Sequence, residues 1–182
     1  MGIFYYVPYG TWPHGDKKLS VDRKNNHFNS PKIEENTALE AAMEKSQAET
    51  TLFLNEQQRK IALQSIKYTC IYFDWPLIAA NVLSNHVHIL LRAEENVDKI
   101  LMKLKSYATR ELKVADDTLF SRKKFWARHG STKYIWFQEH LLPTFYYVVE
   151  EQGDKNALYF DEALYSSLDV ELYAAITGKS CG

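Results

Sequence analysis

Cysteine is scarce in this chain: Cys70 and Cys181 are the only two among 182 residues. They are too few and too far apart for a disulfide framework or a thiolate zinc site. No apolar run reaches the roughly 18 residues of a membrane span, so no membrane partner is expected. The opening MGIFYYVPYGTW has no basic end, long apolar stretch or small-residue cleavage site, so a signal peptide is not expected and a reducing cytoplasm is the simplest home. Internal repeats and low-complexity tracts are absent too. The formal net charge is only −1, which argues against a wholesale nucleic-acid coat. What remains, 46% hydrophobic and 25% charged residues, is the composition of an ordinary globular domain with a sizeable core.

The charge is unevenly spread. Residues 99–133 carry 10 Lys or Arg against 3 Asp or Glu, whereas residues 134–182 carry 2 against 8. A basic middle segment in a neutral protein is either a phosphate-facing stripe or a solvated helix face with a basic loop, and charge alone does not choose.

Residues 3–9 (IFYYVPY) read as a strand ending in the loop GTWPHGD. Residues 14–50 read as a polar surface excursion, with a short helix over roughly 37–48. Asn55 is placed to cap a helix in which Ile61, Leu63, Ile66, Cys70, Ile71 and Phe73 recur at helical spacing. PLIAANVLSN and HVHILLRA read as a hairpin turned at Ser84-Asn85. Asn96 or Asp98 caps the next helix, with Ile100, Leu101, Leu104, Tyr107, Ala108 and Leu112 as its buried stripe. A short strand follows around KYIWF, then a helix over 139–152 with Gly153 as its C-cap. The order predicts an α+β, ferredoxin-like antiparallel sheet with two helices on one face and a C-terminal catalytic helix on the other. Residues 1–153 are expected to form the domain, and 154–182 an acidic extension with room for one more short helix.

The sharpest local feature is His86-Val87-His88. Side chains alternate along a strand, so both imidazoles share one face while Val87, Ile89 and Leu91 point to the core. Two nitrogen donors on a sheet face suit a divalent metal with open positions for a phosphate oxygen. On the spacing alone, a pair of partly exposed strand histidines without metal fits better, since His-x-His arises in many strands by accident.

SNHVHILL resembles the histidine–hydrophobic–histidine motif of the HUH endonucleases. More narrowly, it is similar to the single-tyrosine HUH transposases, the insertion-sequence-200-like and REP-associated tyrosine transposases. GTWPHGD, LKSYATREL, FWARHGSTKYIW and YYVVEEQG resemble family stretches in the same order, and the matches cover most of residues 5–153. The resemblance implies a Mg²⁺- or Mn²⁺-dependent strand transferase acting on single-stranded or hairpin DNA. A tyrosine on the helix after the last core strand would attack the scissile phosphate, leaving a 5′-phosphotyrosine and a free 3′-hydroxyl. A third metal ligand would sit one turn beyond it. On YVVEEQG these become Tyr147 and Glu151, an i, i+4 pair on one helix face. Gln152, an amide as in many relatives, is the alternative third ligand, although a regular helix would turn it away from Tyr147. Tyr146 and Glu150 make an equally good pair by spacing alone.

Within that resemblance the basic segment gains a role. Lys103, Lys105, Arg110, Lys113, Arg122, Lys123, Lys124, Arg128 and Lys133 would track DNA phosphates, and Phe125, Trp126 and Tyr134 would stack unpaired bases. For Trp126 and Trp136 a place in the core is an equal alternative. Relatives act as dimers or as monomers, so a homodimer stays open. Two other readings stay open as well. One is a domesticated protein that binds hairpin or single-stranded DNA without cutting it. The other is an unrelated metallohydrolase that uses His86, His88 and Glu151 to activate water.

Overall fold

The computed structural model describes residues 2–6, 49–127, 130–137 and 140–167. Most of the 14–50 excursion, the 37–48 helix, the GTWPHGD loop, Arg128 and the tail from 168 lie outside them.

Helix α1 (Glu56–Tyr72) begins where Asn55 forms a capping box with Gln58. The Asn55 side chain accepts from the Gln58 N–H at 2.9 Å, and the Gln58 side chain accepts from the Asn55 N–H at 2.9 Å. Ala62, Ile66, Thr69 and Cys70 are its buried stripe. Ile71, expected in that stripe, is 74% exposed, because it sits about 100° round the helix from Cys70. Helix α2 (Val97–Ala115) is capped by Asn96, whose side chain accepts from Asp98 N and Lys99 N. Ile100, Leu101, Leu104, Ala108 and Leu112 are buried as the spacing predicts, with Tyr107 half-buried.

Five strands form one antiparallel sheet: β1 (Gly2–Tyr6), β2 (Leu77–Val82), β3 (Val87–Leu91), β4 (Ser131–Tyr134) and β5 (Leu158–Phe160). Their order is β4-β1-β3-β2-β5. The β2–β3 hairpin turns at Ser84-Asn85, closed by Leu83 N–H donating to the His86 carbonyl at 2.8 Å. Alternation on β3 divides the interior in two. Val87, Ile89 and Leu91 join Ala62, Ile66, Ile100 and Leu104 from α1 and α2. Leu90 instead joins Ile78, Phe145, Val148 and Val149, the last three from helix α3 (Leu141–Val149).

Two departures from the sequence reading matter for the site. Helix α3 stops at Val149 rather than 152. The Glu150 and Glu151 N–H groups both donate to the Tyr146 carbonyl, at 2.8 and 3.3 Å, and this shared acceptor breaks the i→i−4 ladder. Gly153, at φ 75°, then turns the chain in the left-handed region that glycine adopts without strain. The sheet also continues past residue 153: β5 pairs with β2, Ala157 is 1% exposed in the core, and a short helix α4 (Glu162–Ser167) follows.

Candidate metal and nucleophile site

His86 ends the hairpin turn just before β3, and His88 lies within β3 on the face that α3 covers. The His86 Nδ1 lies 2.7 Å from Asn85 Oδ1. An amide oxygen only accepts, so in the tautomer that donates from Nδ1 the ring turns a lone pair outward at Nε2. Facing that atom at 3.4 Å is Gln152 Oε1. The Gln152 amide cannot be reversed without loss, because its Nε2 donates to the Tyr147 carbonyl at 2.9 Å. In the other tautomer His86 Nε2–H donates to Gln152 Oε1, and in the Nδ1–H tautomer the two lone pairs could together hold one cation.

The His88 ring is 4.8 Å from that of His86 and 5.2 Å from that of Tyr147, edge to face in both cases. His88 is only 4% exposed. Burial first, and then the neighbouring His86, push its pKa down to about 4 against a hydrogen bond with Gln152 that raises it. At neutral pH the ring is therefore uncharged, the form in which imidazole ligates a metal.

The two candidate tyrosines differ in access. Tyr147 is 42% exposed beside His88, whereas Tyr146 is 4% exposed and packs with Leu142 and the Tyr165 ring. Glu151 is exposed, and no three His, Cys, Asp or Glu side chains gather as a metal-holding group among the described residues. The i, i+4 relation between Tyr147 and Glu151 needed a helix running through 151. With α3 ending at 149, the turn brings the amide of Gln152 to the histidines and leaves the carboxylate of Glu151 outside.

Residues 45–136 match the family described as Transposase IS200 like. The chain belongs to the IS200-like transposase family. The match takes in both histidines, α2 and β4, and it ends before α3, so Tyr147 and Gln152 rest on geometry. A comparison with curated proteins finds no match.

Within this IS200-like transposase, most of the basic residues expected on DNA are engaged in the protein. Lys103 lies 3.9 Å from the centre of the Phe73 ring and 3.7 Å from Glu95. Lys105 donates to the Ala127 carbonyl at 3.0 Å, and burial lowers its pKa to about 8. Arg110 pairs with Glu111 at 2.9 Å, and Lys113 donates to the Phe120 carbonyl at 3.0 Å. Arg122 donates to the carbonyls of Lys124 and Thr50 at 2.7 and 2.5 Å. The α2 residues also stand in the layer packed on Val87, Ile89 and Leu91, across the sheet from His88. Lys123 and Lys124 are exposed at the start of the following loop. Lys133 is different. It pairs with Ile3, which pairs with Leu90, so the exposed Lys133 shares the face of Leu90 and His88.

The aromatic residues divide similarly. Phe125 is buried, and the Trp126 indole donates to the Lys105 carbonyl and to Thr109 Oγ1 at 3.0 and 2.9 Å. Tyr134 and Trp136 stack at 5.4 Å and stand 51% and 78% exposed. No helix of the described residues is long and apolar enough to cross a membrane.

Proposed function

We propose that this protein is a divalent-metal-dependent transposase that cleaves and rejoins single-stranded or hairpin DNA through Tyr147. The observation that carries this reading is the convergence of His86, His88 and Gln152 beside an accessible tyrosine, in a chain whose family acts on DNA. The donor set of two imidazoles and one amide oxygen fits Mg²⁺ or Mn²⁺, with Gln152 preferred over Glu151 as the third ligand. A bound cation would polarise the scissile phosphate and take up its developing charge.

The protein's own groups do the rest. A phenol has an ordinary pKa near 10 and is a weak nucleophile at neutral pH, so its placement matters most. The exposed Tyr147 hydroxyl attacks phosphorus and gives up its proton. The new Tyr–O–P bond replaces the P–O bond to the 3′ oxygen, which leaves as the 3′-hydroxyl. Because the phosphotyrosine keeps an ester bond, attack by another 3′-hydroxyl rejoins strands and frees the tyrosine. In support of this reading, β3, which carries His88, lies inside the strand order β4-β1-β3-β2, and the Tyr147 ring is 5.2 Å from that of His88. Among the basic residues, Lys133, Lys123 and Lys124 are the ones we assign to DNA phosphates.

The test is a covalent one. A labelled hairpin with a single-stranded flank and Mn²⁺ is expected to give a denaturant-stable protein–DNA adduct with the wild type and with Tyr146→Phe, and none with Tyr147→Phe. Cleavage that persists in Tyr147→Phe would point to water as nucleophile. Binding without any adduct in the wild type would mark a non-cleaving binding protein.

A further inference from the structure

We propose that Asn81 is a positioning residue that locks His88, the tyrosine helix and the Gln152 turn into one unit; this rests on the metal reading above. Asn81 lies on β2, wholly buried at 0% exposure, among neighbours such as Ile78 and Ala79 that are apolar. A buried amide is costly unless its polar atoms are used. The Asn81 Nδ2 donates to two carbonyls, Val148 at 3.3 Å and Asp154 at 3.2 Å. One carbonyl follows Tyr147 on α3, and the other lies just beyond Gly153. A single side chain thus grips both ends of the turn that carries Gln152. The Arg59 guanidinium of α1 pairs with the Asp154 carboxylate, and the Asn156 N–H first and Arg59 second hold that carboxyl below its usual pKa.

The other half of the amide faces the histidine. Asn81 and His88 are direct partners in the β2–β3 register, so their Cβ atoms sit about 5 Å apart on one face. Asn81 Oδ1 is buried and has no hydrogen-bond partner among the described residues. A metal-ligating histidine donates its second ring N–H to an acceptor that fixes its tautomer and orientation. No hydrogen bond joins Asn81 Oδ1 to His88 in this structure; across the register pair it is the acceptor His88 would reach once its other ring nitrogen holds the metal, while Asn81 Nδ2 holds the segment bearing Gln152. The residue acts on the site through its neighbours and touches no reacting atom.

Three measurements on the full chain test this. Mn²⁺ affinity is measured by electron paramagnetic resonance without DNA, the His88 tautomer by ¹⁵N NMR of the Mg²⁺-saturated protein, and folding by circular dichroism. Asn81→Leu and the smaller Asn81→Ser are expected to weaken Mn²⁺ binding about 10- to 100-fold. Both are expected to leave His88 in mixed tautomers. Asp154→Asn, a change at the partly exposed end of the strap, is expected to weaken Mn²⁺ a few-fold in a folded protein. Folded Asn81 variants with wild-type Mn²⁺ affinity and an unchanged His88 tautomer would overturn the proposal. So would an unaltered affinity in Asp154→Asn if neither Asn81 variant folds. The control is His88→Ala. Should it bind Mn²⁺ like the wild type, the metal reading fails; should it lose Mn²⁺ while Asn81→Leu retains it, only the positioning role fails.

Discussion

Replacing Gln152 and Glu151 separately by alanine discriminates between the site expected of a continuous helix and the one the turn builds. Gln152→Ala removes the oxygen 3.4 Å from His86 Nε2 and the donor to the Tyr147 carbonyl. An interaction of an amide oxygen with a charged partner is worth about 1.5–3 kcal/mol. At about 1.36 kcal/mol per tenfold, that is roughly a 10- to 150-fold rise in the Mn²⁺ dissociation constant. Glu151→Ala removes an exposed carboxylate outside the cluster, whose influence through water is weak. Its dissociation constant is expected to change by no more than about threefold. Isothermal titration of Mn²⁺ into each chelator-treated variant reads both values, and adduct formation on the hairpin should fall in the same order. A large loss in Glu151→Ala with near wild-type binding in Gln152→Ala would refute the reasoning. It would mean that the chain past Val149 regains a helical turn when metal binds.

Three further outcomes follow from the same geometry. Lys133→Ala is expected to weaken single-stranded DNA binding several-fold and to reduce the slope of log affinity against log salt by about one, whereas Lys113→Ala leaves both nearly unchanged; filter binding across salt concentrations checks this. Burial holds the Lys105 pKa near 8, below the ordinary 10.5, so between those values the unfolded chain keeps a proton that the folded one has lost. Stability is therefore flat below pH 8 and gains from this group as pH rises towards 10.5, and Lys105→Met should remove that gain in urea titrations at pH 7.5, 9 and 10. Cys70 is 1% exposed with its pKa pushed up to about 12 by burial, so in a Cys181→Ser protein an aromatic disulfide reagent should label it only at the rate of unfolding; fast labelling of the native protein would contradict the packing.

The histidine pair, the hairpin turn and the two long helices were legible because each depends on local chemistry. Asn55 and Asn96 cap by reaching their own first turns, and the β3 alternation follows from the pleat alone. Where the basic residues point is something periodicity cannot reveal. Charge density along 99–133 does not say which sheet face α2 covers, and it does not disclose that Lys103 rests on Phe73 or that Arg122 ties down its own loop. The register did distinguish Lys133, and only once β4 was seen beside β1. The choice between Glu151 and Gln152 turns on a helix end. Propensity allowed α3 to run through Glu151, but the Tyr146 carbonyl takes two N–H groups and Asn81, 67 residues upstream of Val148, donates to the Val148 carbonyl. That long-range hydrogen bond falls where the helix ends, a place local propensity does not mark. Both sides of the turn that carries Gln152 are bonded to a buried asparagine in another strand. Of all the residues at the site, Asn81 is the one whose role no reading of its immediate sequence neighbours could reach.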